Sequence, residues 1–279
     1  MKRISIIAAL ALSTSLLAQQ SVVMPYLAYT DYEDSMRDDA MMAGVYGYQD
    51  NGITRLEAAL GYTYIDYKPD ADRRYHKQLD ATILGTYYHE RNWAIKGGIH
   101  NIWSKSDQRG TNYDPVLKFG LVYYVYGQYN IEGDLYYSDY DDFNVYQLRL
   151  KYGEFFTIEE FPQNSFYFET AINQIHISES GYAPKDDYTN VDLRIDMFDR
   201  SWSLGLFASL GKAAYKVDKE GWIVYNLGEE YKYVLGMEYS YYLDRTTSLK
   251  IGLNRAKFNE NVPEDSYANT LSLFYIKGF

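Results

Sequence analysis

The segment from Tyr231 to Tyr241, with the sequence YKYVLGMEYSY, alternates between two kinds of side chain. Every second residue is apolar or aromatic, whereas most of the residues between them are charged or small, namely Lys232, Gly236, Glu238 and Ser240. A period of two is typical of a β-strand whose two faces meet different surroundings. The run of about 11 residues is also what a tilted strand needs to cross a lipid bilayer.

The same alternation recurs along the chain, for example in residues 56–64, 117–125 and 202–210. Short turns are predicted at residues 49–52, 89–92, 127–130, 198–201 and 243–246. They alternate with longer polar or acidic loops, predicted at residues 31–39, 68–77, 104–115, 178–189, 211–230 and 258–266. Counting strands between these connections gives about 14, with 12 as an alternative if the first two strands or residues 154–199 are misassigned.

These patterns predict a single all-β domain over residues 19–279, a transmembrane antiparallel up-and-down β-barrel. A closed barrel satisfies every backbone N–H and C=O group within hydrocarbon. About 14 strands enclose a space too wide for side chains to fill, so the charged face is expected to line water and the apolar face to contact lipid. No segment is left over for a large plug inside the barrel.

The first residues predict export. Two basic residues, Lys2 and Arg3, precede an apolar stretch at residues 4–17, which together indicate a signal peptide at residues 1–18 with cleavage after Ala18. Charged or amide residues interrupt every later apolar run, which argues against a membrane-spanning helix. The chain has no cysteine, which excludes disulfides, thiol nucleophiles and lipid attachment at a cysteine.

Composition points in the same direction. The 33 tyrosines suit the edges of a bilayer, where the ring contacts acyl chains and the hydroxyl reaches water. The formal net charge of -11 becomes -13 once Lys2 and Arg3 are removed, which argues against nucleic acid as a partner. The predicted location is the cell outer membrane, with its lipids as surroundings.

The chain ends in YANTLSLFYIKGF, with alternating apolar residues before a terminal aromatic residue. This segment resembles the last strand of Gram-negative outer-membrane barrels. The resemblance implies recognition by the barrel-assembly machinery and rests on Leu271, Leu273, Tyr275 and Phe279. Lys277 departs from the pattern, because an aromatic or apolar residue is more usual there. In size and strand count the chain also resembles monomeric 14-stranded porins, a likeness of architecture only.

Charged residues of both signs fall on the predicted inner face, which suits a water-filled pore. The expected function is a porin-like channel for passive diffusion of ions and small polar solutes, without a cofactor. An alternative is that the charges only stiffen a closed barrel through ion pairs. The predicted pore-lining residues are Arg55, Glu57, Asp80, Lys96, Lys118, Glu132, Asp134, Arg149, Lys151, Glu169, Asp192, Arg194, Asp196, Lys232, Glu238 and Lys250.

An enzyme is the second hypothesis. His176 and Ser178, followed by Asn190, resemble the His-x-Ser and Asn arrangement of outer-membrane phospholipase A, in which Ser attacks an acyl ester, His is the base and Asn orients the His. Parity places His176 and Ser178 toward lipid but Asn190 toward the lumen, and the other signatures of that family are absent. No catalytic residue is therefore assigned.

A third hypothesis is a structural or adhesion barrel that binds partners through its acidic loops. Asp139, Asp141 and Asp142 form an acidic loop that could hold a divalent ion, but such loops are usually only solvated surface, so no metal site is predicted. The sequence leaves the transported solute and the oligomeric state open.

Overall fold

The computed structural model describes residues 20–89, 92–107, 112–161, 163–260 and 264–279. The predicted signal peptide, residues 1–18, lies outside the described residues. Fourteen long strands of the described chain form one antiparallel sheet that closes on itself. The strands before the longest connection are β1 (Gln20–Glu33), β2 (Arg37–Asp50), β3 (Thr54–Tyr67), β4 (Tyr75–His89), β5 (Trp93–Ser106), β6 (Asn112–Val125), β7 (Tyr129–Tyr140), β8 (Phe143–Phe156), β9 (Ser165–Ile177), β10 (Asp187–Phe198) and β11 (Trp202–Ala213).

The remaining strands follow a segment that folds into the barrel. That segment contains two short strands, β12 (Val217–Asp218) and β13 (Ile223–Val224), joined by a 3-10 turn at Lys219–Gly221. The barrel then continues with the last three strands, which are β14 (Glu230–Tyr242), β15 (Thr247–Asn259) and β16 (Ser266–Gly278).

The barrel closes by pairing β1 with β16, from Val22 opposite Gly278 to Glu33 opposite Tyr267. Each of the other strands pairs with its neighbours along the chain, and β11 pairs with β14 across the inserted segment. The prediction of a 14-stranded antiparallel barrel is thus confirmed, and the 12-stranded alternative is wrong. None of the described residues forms a helix that is both long enough and apolar enough to cross a membrane.

The two faces of the sheet differ as the alternation predicted. On β6, the outward side chains of Leu117, Phe119 and Leu121 are 46–51% exposed, whereas the inward side chain of Lys118 is only 7% exposed. The charged set lies inside the barrel and the apolar set lies outside, the reverse of a soluble barrel.

Aromatic side chains form a row on the outer face near each end of the barrel. Trp93 contacts Tyr123 near one end, with ring centroids 5.0 Å apart, and Trp103 contacts Tyr113 near the other, at 5.6 Å. Tyr113 and Tyr123 lie on the same strand, ten residues apart, which is about 33 Å at the usual rise per residue. A strand tilt of ~40° reduces this to about 25 Å, the height of the apolar band of membrane barrels.

One end of the barrel carries the short turns, the start of β1 and the end of β16, and is here called the turn end. The opposite end is called the loop end. The predicted turns at residues 49–52, 127–130, 198–201 and 243–246 are found, and the one at residues 89–92 lies partly outside the described residues. Most connections at the loop end are shorter than predicted. The connection between β1 and β2, predicted at residues 31–39, consists of residues 34–36 only. The strands continue beyond the apolar band, where their side chains are polar. Because polar strand ends have the composition of loops, the sequence predicts longer loops than the structure has.

One irregularity overturns part of the predicted alternation. The register between β11 and β14 and between β14 and β15 shifts at residues 231–233, so Lys232 has no partner in either ladder. This bulge reverses the two faces beyond it. Tyr231, predicted to face outward, packs inside against the buried Phe258, with ring centroids 5.5 Å apart.

Candidate functional site

The inner face holds the charges that the sequence predicted there, with one exception. Lys232 is directed by the bulge toward Asp265 and lies beside Lys257, which belongs to the outward set of β15. The prediction that Lys232 lines the interior is therefore wrong, because the extra residue of a bulge rotates the side chains that follow it. The other fifteen residues lie on the inner face, and most of them form three groups of ion pairs.

The first group, here called the lysine cluster, lies on adjacent strands β5 to β8. Glu132 Oε1 is 2.8 Å from Lys96 Nζ, and Glu132 Oε2 is 2.6 Å from Lys151 Nζ. Lys118 Nζ is 3.2 Å from Asp134 Oδ1. Glu132 and Asp134 are 2% and 1% exposed, so removing either partner of a pair would leave an uncompensated buried charge.

The second group surrounds Arg149 on β8. Its guanidinium lies 3.6 Å from Glu169, 3.8 Å from Asp192 and 3.6 Å from Asp218. Lys216 completes the group at 2.5 Å from Asp192. Asp218 and Lys216 come from the inserted segment, which therefore contributes to the charge balance of the wall.

The third group lies on β10, β14 and β15. Glu238 accepts a hydrogen bond from Arg194 at 2.9 Å and lies 3.5 Å from Lys250 Nζ. Arg194 also donates two hydrogen bonds of 2.7 Å to Asp196. Lys219, at the tip of the inserted segment, reaches Glu238 at 3.4 Å.

The remaining predicted residues lie nearer to β2, β3 and β4. Arg55 pairs with Asp50 at 3.1 Å and stacks over the ring of Tyr48, and Asp80 pairs with His100 at 3.1 Å. Glu57 accepts a hydrogen bond of 2.5 Å from Tyr46.

The inserted segment, residues 214–229, crosses the interior and is here called the hairpin. Its first strand is fixed by Gln147, whose side chain donates to Val217 O and accepts from Val217 N, both at 2.8 Å. The Gln147 side chain thus supplies the donor and the acceptor that the backbone of a neighbouring strand would supply to Val217. Val217 is fully buried and packs against Ile102, Val116 and Tyr136. Apolar packing, together with the hydrogen bonds between the Gln147 side chain and the Val217 backbone, thus fixes this strand against β5 to β8.

The far side of the hairpin reaches the opposite wall. Trp222 meets the ring of Tyr46 on β2 edge-on, with centroids 4.8 Å apart. Asn226 donates to Gln78 on β4 at 3.1 Å. The end of the hairpin is held at the loop end, where Glu229 forms an ion pair with the buried Arg37.

The tip of the hairpin has an unusual backbone. Lys219, Glu220 and Gly221 have φ angles of 45°, 63° and 97°, all in the left-handed region. For the two residues with a side chain, such a conformation costs about 1–3 kcal/mol each unless the surroundings hold it in place. The contacts that hold it are the ion pairs of Lys219 with Glu238 and of Glu220 with the lysine cluster.

The expectation that no segment remains to fill the barrel is thus wrong. Residues 211–230 were predicted as an outer acidic loop because Lys, Asp and Glu recur in them. The signal that could have revealed the insertion is the apolar content of the same segment, which is high for a solvated loop. Its apolar residues include Ala213, Ala214, Tyr215, Val217, Trp222, Ile223 and Val224.

The inner wall formed by β1 to β3, β15 and β16, which the hairpin contacts at Tyr46 and Arg37 of β2, differs from the charged side. On β1 to β3, β15 and β16 the inward residues at mid-height include two aromatic rings, Tyr26 and Phe274, and the ring of Tyr26 lies over Gly44 and Gly61. The other inward residues there are small: Ala28, Gly44, Gly61, Gly252, Thr270 and Ser272. Met42, on the inner face of β2, is 40% exposed. Solvent therefore reaches this wall at Met42.

At the loop end, part of the barrel is covered by apolar side chains. Tyr140, Phe143 and Tyr215 form a buried cluster with Ile175 and Ile177. Tyr182, from the connection between β9 and β10, stacks on Phe143 with centroids 4.3 Å apart. The cover lies over β7 to β11, the same side that the hairpin occupies.

The residues of the enzyme hypothesis do not come together. His176 is outside the barrel and its Nδ1 lies 2.9 Å from Asp187, while Ser178 Oγ accepts a hydrogen bond from the backbone of Asn144. Asn190 is 2% exposed inside the barrel and donates to the carbonyls of Leu210 and Gly211. Asn190 therefore cannot orient His176, since the sheet separates them.

Two further predicted groups can be placed. Asp141 and Asp142 form the two-residue turn between β7 and β8, and Asp139 lies near the end of β7. The described residues contain no group of three or more His, Cys, Asp or Glu arranged to hold a metal ion. In the terminal strand Leu271, Leu273 and Tyr275 face outward, and Phe279 is 76% exposed. Lys277 donates to Thr246 and Thr247 at the turn end. Recognition by the assembly machinery stays a prediction.

The geometry can be compared with known proteins. No protein-family model matches the chain, and no curated protein is similar in sequence. Solved structures do match in fold. The Ralstonia pickettii toluene transporter TbuX has a TM-score of 0.60 at 8% identity, over 93% of this chain and 89% of that one. A bacterial polysaccharide outer membrane secretin gives 0.58 at 11% identity, over 92% and 98%. The Acinetobacter baumannii outer membrane protein Omp33 gives 0.52 at 12% identity, over 94% and 99%.

These similarities concern the fold, which is that of outer-membrane β-barrel proteins. This confirms the fold class predicted from the sequence, an outer-membrane type of closed antiparallel barrel with 14 strands. The barrel is channel-like: it encloses a polar interior with a hairpin across part of it.

Proposed function

We propose that the protein is an outer-membrane channel through which ions and small polar solutes diffuse passively. The passage lies between the hairpin and the wall formed by β1 to β3, β15 and β16. The observation that carries the proposal is the asymmetry of the interior. Most of the ion pairs and the buried strand of the hairpin lie on one side. At mid-height the other side has small side chains beside Tyr26 and Phe274, and a partly exposed Met42.

The outer surface supports a membrane location. Apolar side chains face outward between two aromatic rows that are about 25 Å apart along the barrel axis, the height of the apolar band of outer-membrane barrels. The turn end would face the periplasm and the loop end the exterior, the usual orientation of such barrels.

The charges beside the passage support polar rather than apolar solutes. Glu238 borders the space together with Arg194 and Lys250, so carboxylate and cationic groups lie close to each other. Opposed charges remain hydrated in a pore and order polar solutes that pass between them. An apolar solute would have to displace water from these groups at a cost of several kcal/mol each.

Two adjacent methionines offer a matched test. Met42 faces the passage, whereas its neighbour Met41 faces outward and is 63% exposed. Met42→Trp places a large ring in the passage, so single-channel conductance in a planar bilayer should fall and the largest permeant sugar should become smaller. Met41→Trp should leave both quantities unchanged, because its ring lies among lipid chains.

Wild-type protein should give stepwise currents under the same conditions. Folded protein that inserts without any conductance would contradict the proposal. Equal effects of the two substitutions would contradict the assigned position of the passage.

A further inference from the structure

Glu220, at the tip of the hairpin, contacts a group of lysines that belongs entirely to the barrel wall. Its carboxylate is 3.0 Å from Lys96 Nζ, 3.2 Å from Lys151 Nζ and 4.0 Å from Lys118 Nζ. These lysines lie on β5, β6 and β8, far from the hairpin in sequence. The carboxylate therefore occupies the position that a bound anion would take.

The charge balance of the wall depends on this carboxylate. The lysine cluster contributes three positive charges, and its own carboxylates, Glu132 and Asp134, contribute two negative ones. Glu169 also lies 3.9 Å from Lys151, but Glu169 is shared with Arg149. With Glu220 in place the cluster has as many carboxylates as lysines, and without it the three amines keep only Glu132, Asp134 and the shared Glu169 as partners.

The site is accessible on the side of Glu220. The Glu220 side chain is 31% exposed, whereas the side chains of Lys96, Lys118 and Lys151 are 13% exposed or less. A solute in the lumen would therefore meet this carboxylate first, with the three amines behind it.

The hairpin is built in a way that permits release. The left-handed backbone at Lys219 and Glu220 is unfavourable for residues with a side chain and is maintained by their ion pairs. Two glycines with positive φ lie in the hairpin, Gly221 at 97° in the tip and Gly228 at 78° near the end of the segment. Such glycines accept backbone rotations that other residues resist, so the tip can rotate at Gly221.

We propose that Lys96, Lys118 and Lys151 form a binding site for small organic monocarboxylates, and that Glu220 occupies this site until an incoming carboxylate displaces it and frees the tip of the hairpin, residues 219–223. This inference rests on the proposed channel function and names its solute class. A carboxylate accepts the same hydrogen bonds from the ammonium groups that Glu220 accepts. A monocarboxylate carries the same single negative charge as the Glu220 side chain that it replaces, and the three amines would repel a cation.

The first experiment measures conductance while acetate replaces chloride at constant total salt. In wild-type protein the conductance should rise with acetate and saturate. Glu220→Gln should have the higher conductance already in chloride, with little further response. Lys151→Met should lose the response to acetate. Lys250→Met, a matched change at an interior lysine that does not contact Glu220, should retain it.

The second experiment observes the hairpin without relying on current. Ile223, beside the tip, is 37% exposed, and the natural chain has no cysteine. Ile223→Cys therefore gives a single thiol. Its rate of reaction with a membrane-impermeant maleimide should rise several-fold in acetate, and this rise should disappear when Lys151→Met is added.

The outcomes separate the two proposals. The monocarboxylate site would be overturned if the wild-type channel conducts but its conductance and labelling rate do not change with acetate. A Lys151→Met variant that responds to acetate like wild type would overturn it as well. Both outcomes are compatible with the channel function. Absence of conductance in wild type and in Glu220→Gln would overturn the channel. An acetate-dependent labelling rate in that case would still support the binding site.

Discussion

Arg37 is a buried cation that connects three parts of the barrel. Its guanidinium pairs with Glu229 at the end of the hairpin and lies 3.2 Å from Glu260 after β15. The same group lies over the rings of Tyr32 and Phe258, at 5.4 and 5.5 Å from their centroids. Desolvation of a charge is offset only when such partners are all in place, so this residue should be sensitive to substitution.

We expect Arg37→Met to lower the free energy of unfolding by about 3–5 kcal/mol, because it leaves two carboxylates without their shared cation. Arg255→Met is the matched control. Arg255 also pairs with a carboxylate, Glu33, but both side chains are nearly half exposed, so the loss should be at most about 1 kcal/mol. Urea titration of both variants in lipid vesicles, followed by tryptophan fluorescence, measures the difference. Equal losses would show that burial is not what makes Arg37 important.

At the scale of single residues, the sequence predicted the inner face well where the strand is regular. Alternation alone placed Lys118, Glu132 and Arg149 correctly, because each strand that carries them keeps its register. The alternation gave the wrong face for Lys232 and Tyr231. A bulge arises from the pairing between two strands, and the alternation of side chains in either strand's sequence does not show it. Arg37 was missed because a polar strand end resembles a loop.

At the scale of elements, the hairpin is what the sequence did not predict. Its strands are two residues long, too short to give a period, and its charges resemble those of a solvated loop. What places it inside is complementarity with other elements, such as the side chain of Gln147 on β8 and the lysines of β5, β6 and β8. Such partners become visible only in three dimensions.

The hairpin should be dispensable for the barrel but not for its permeability. β12 and β13 pair only with each other, so replacing residues 217–225 with a short Gly-Ser linker leaves the 14-stranded ladder intact. We expect several-fold higher conductance and a reversal potential shifted toward anions, since the lysine cluster loses Glu220. Single-channel recording in a salt gradient measures both. Heat-dependent gel mobility shows whether the variant is a folded barrel. If a folded variant has the same conductance as wild type, the hairpin does not restrict the passage.

For the barrel as a whole, both the location in lipid and the aqueous interior depend on which face of the sheet meets lipid. Closure of the barrel through β1 and β16 removes every free sheet edge among the long strands. That is the condition for placing strands in hydrocarbon. The apolar outer band, the aromatic rows and the charged interior are consequences of the same alternation repeated on fourteen strands.

The most direct measurement is a scan of single cysteines along β15, from Leu249 to Ala256, in a chain with no other thiol. Each cysteine carries a nitroxide label, and the protein is reconstituted in vesicles. Accessibility to oxygen, which concentrates in lipid, should be high at Leu249, Ile251 and Leu253. Accessibility to a water-soluble nickel complex should instead be higher at Lys250, Gly252 and Asn254. A scan without this period of two, or with the two faces exchanged, would contradict a membrane barrel with an aqueous interior.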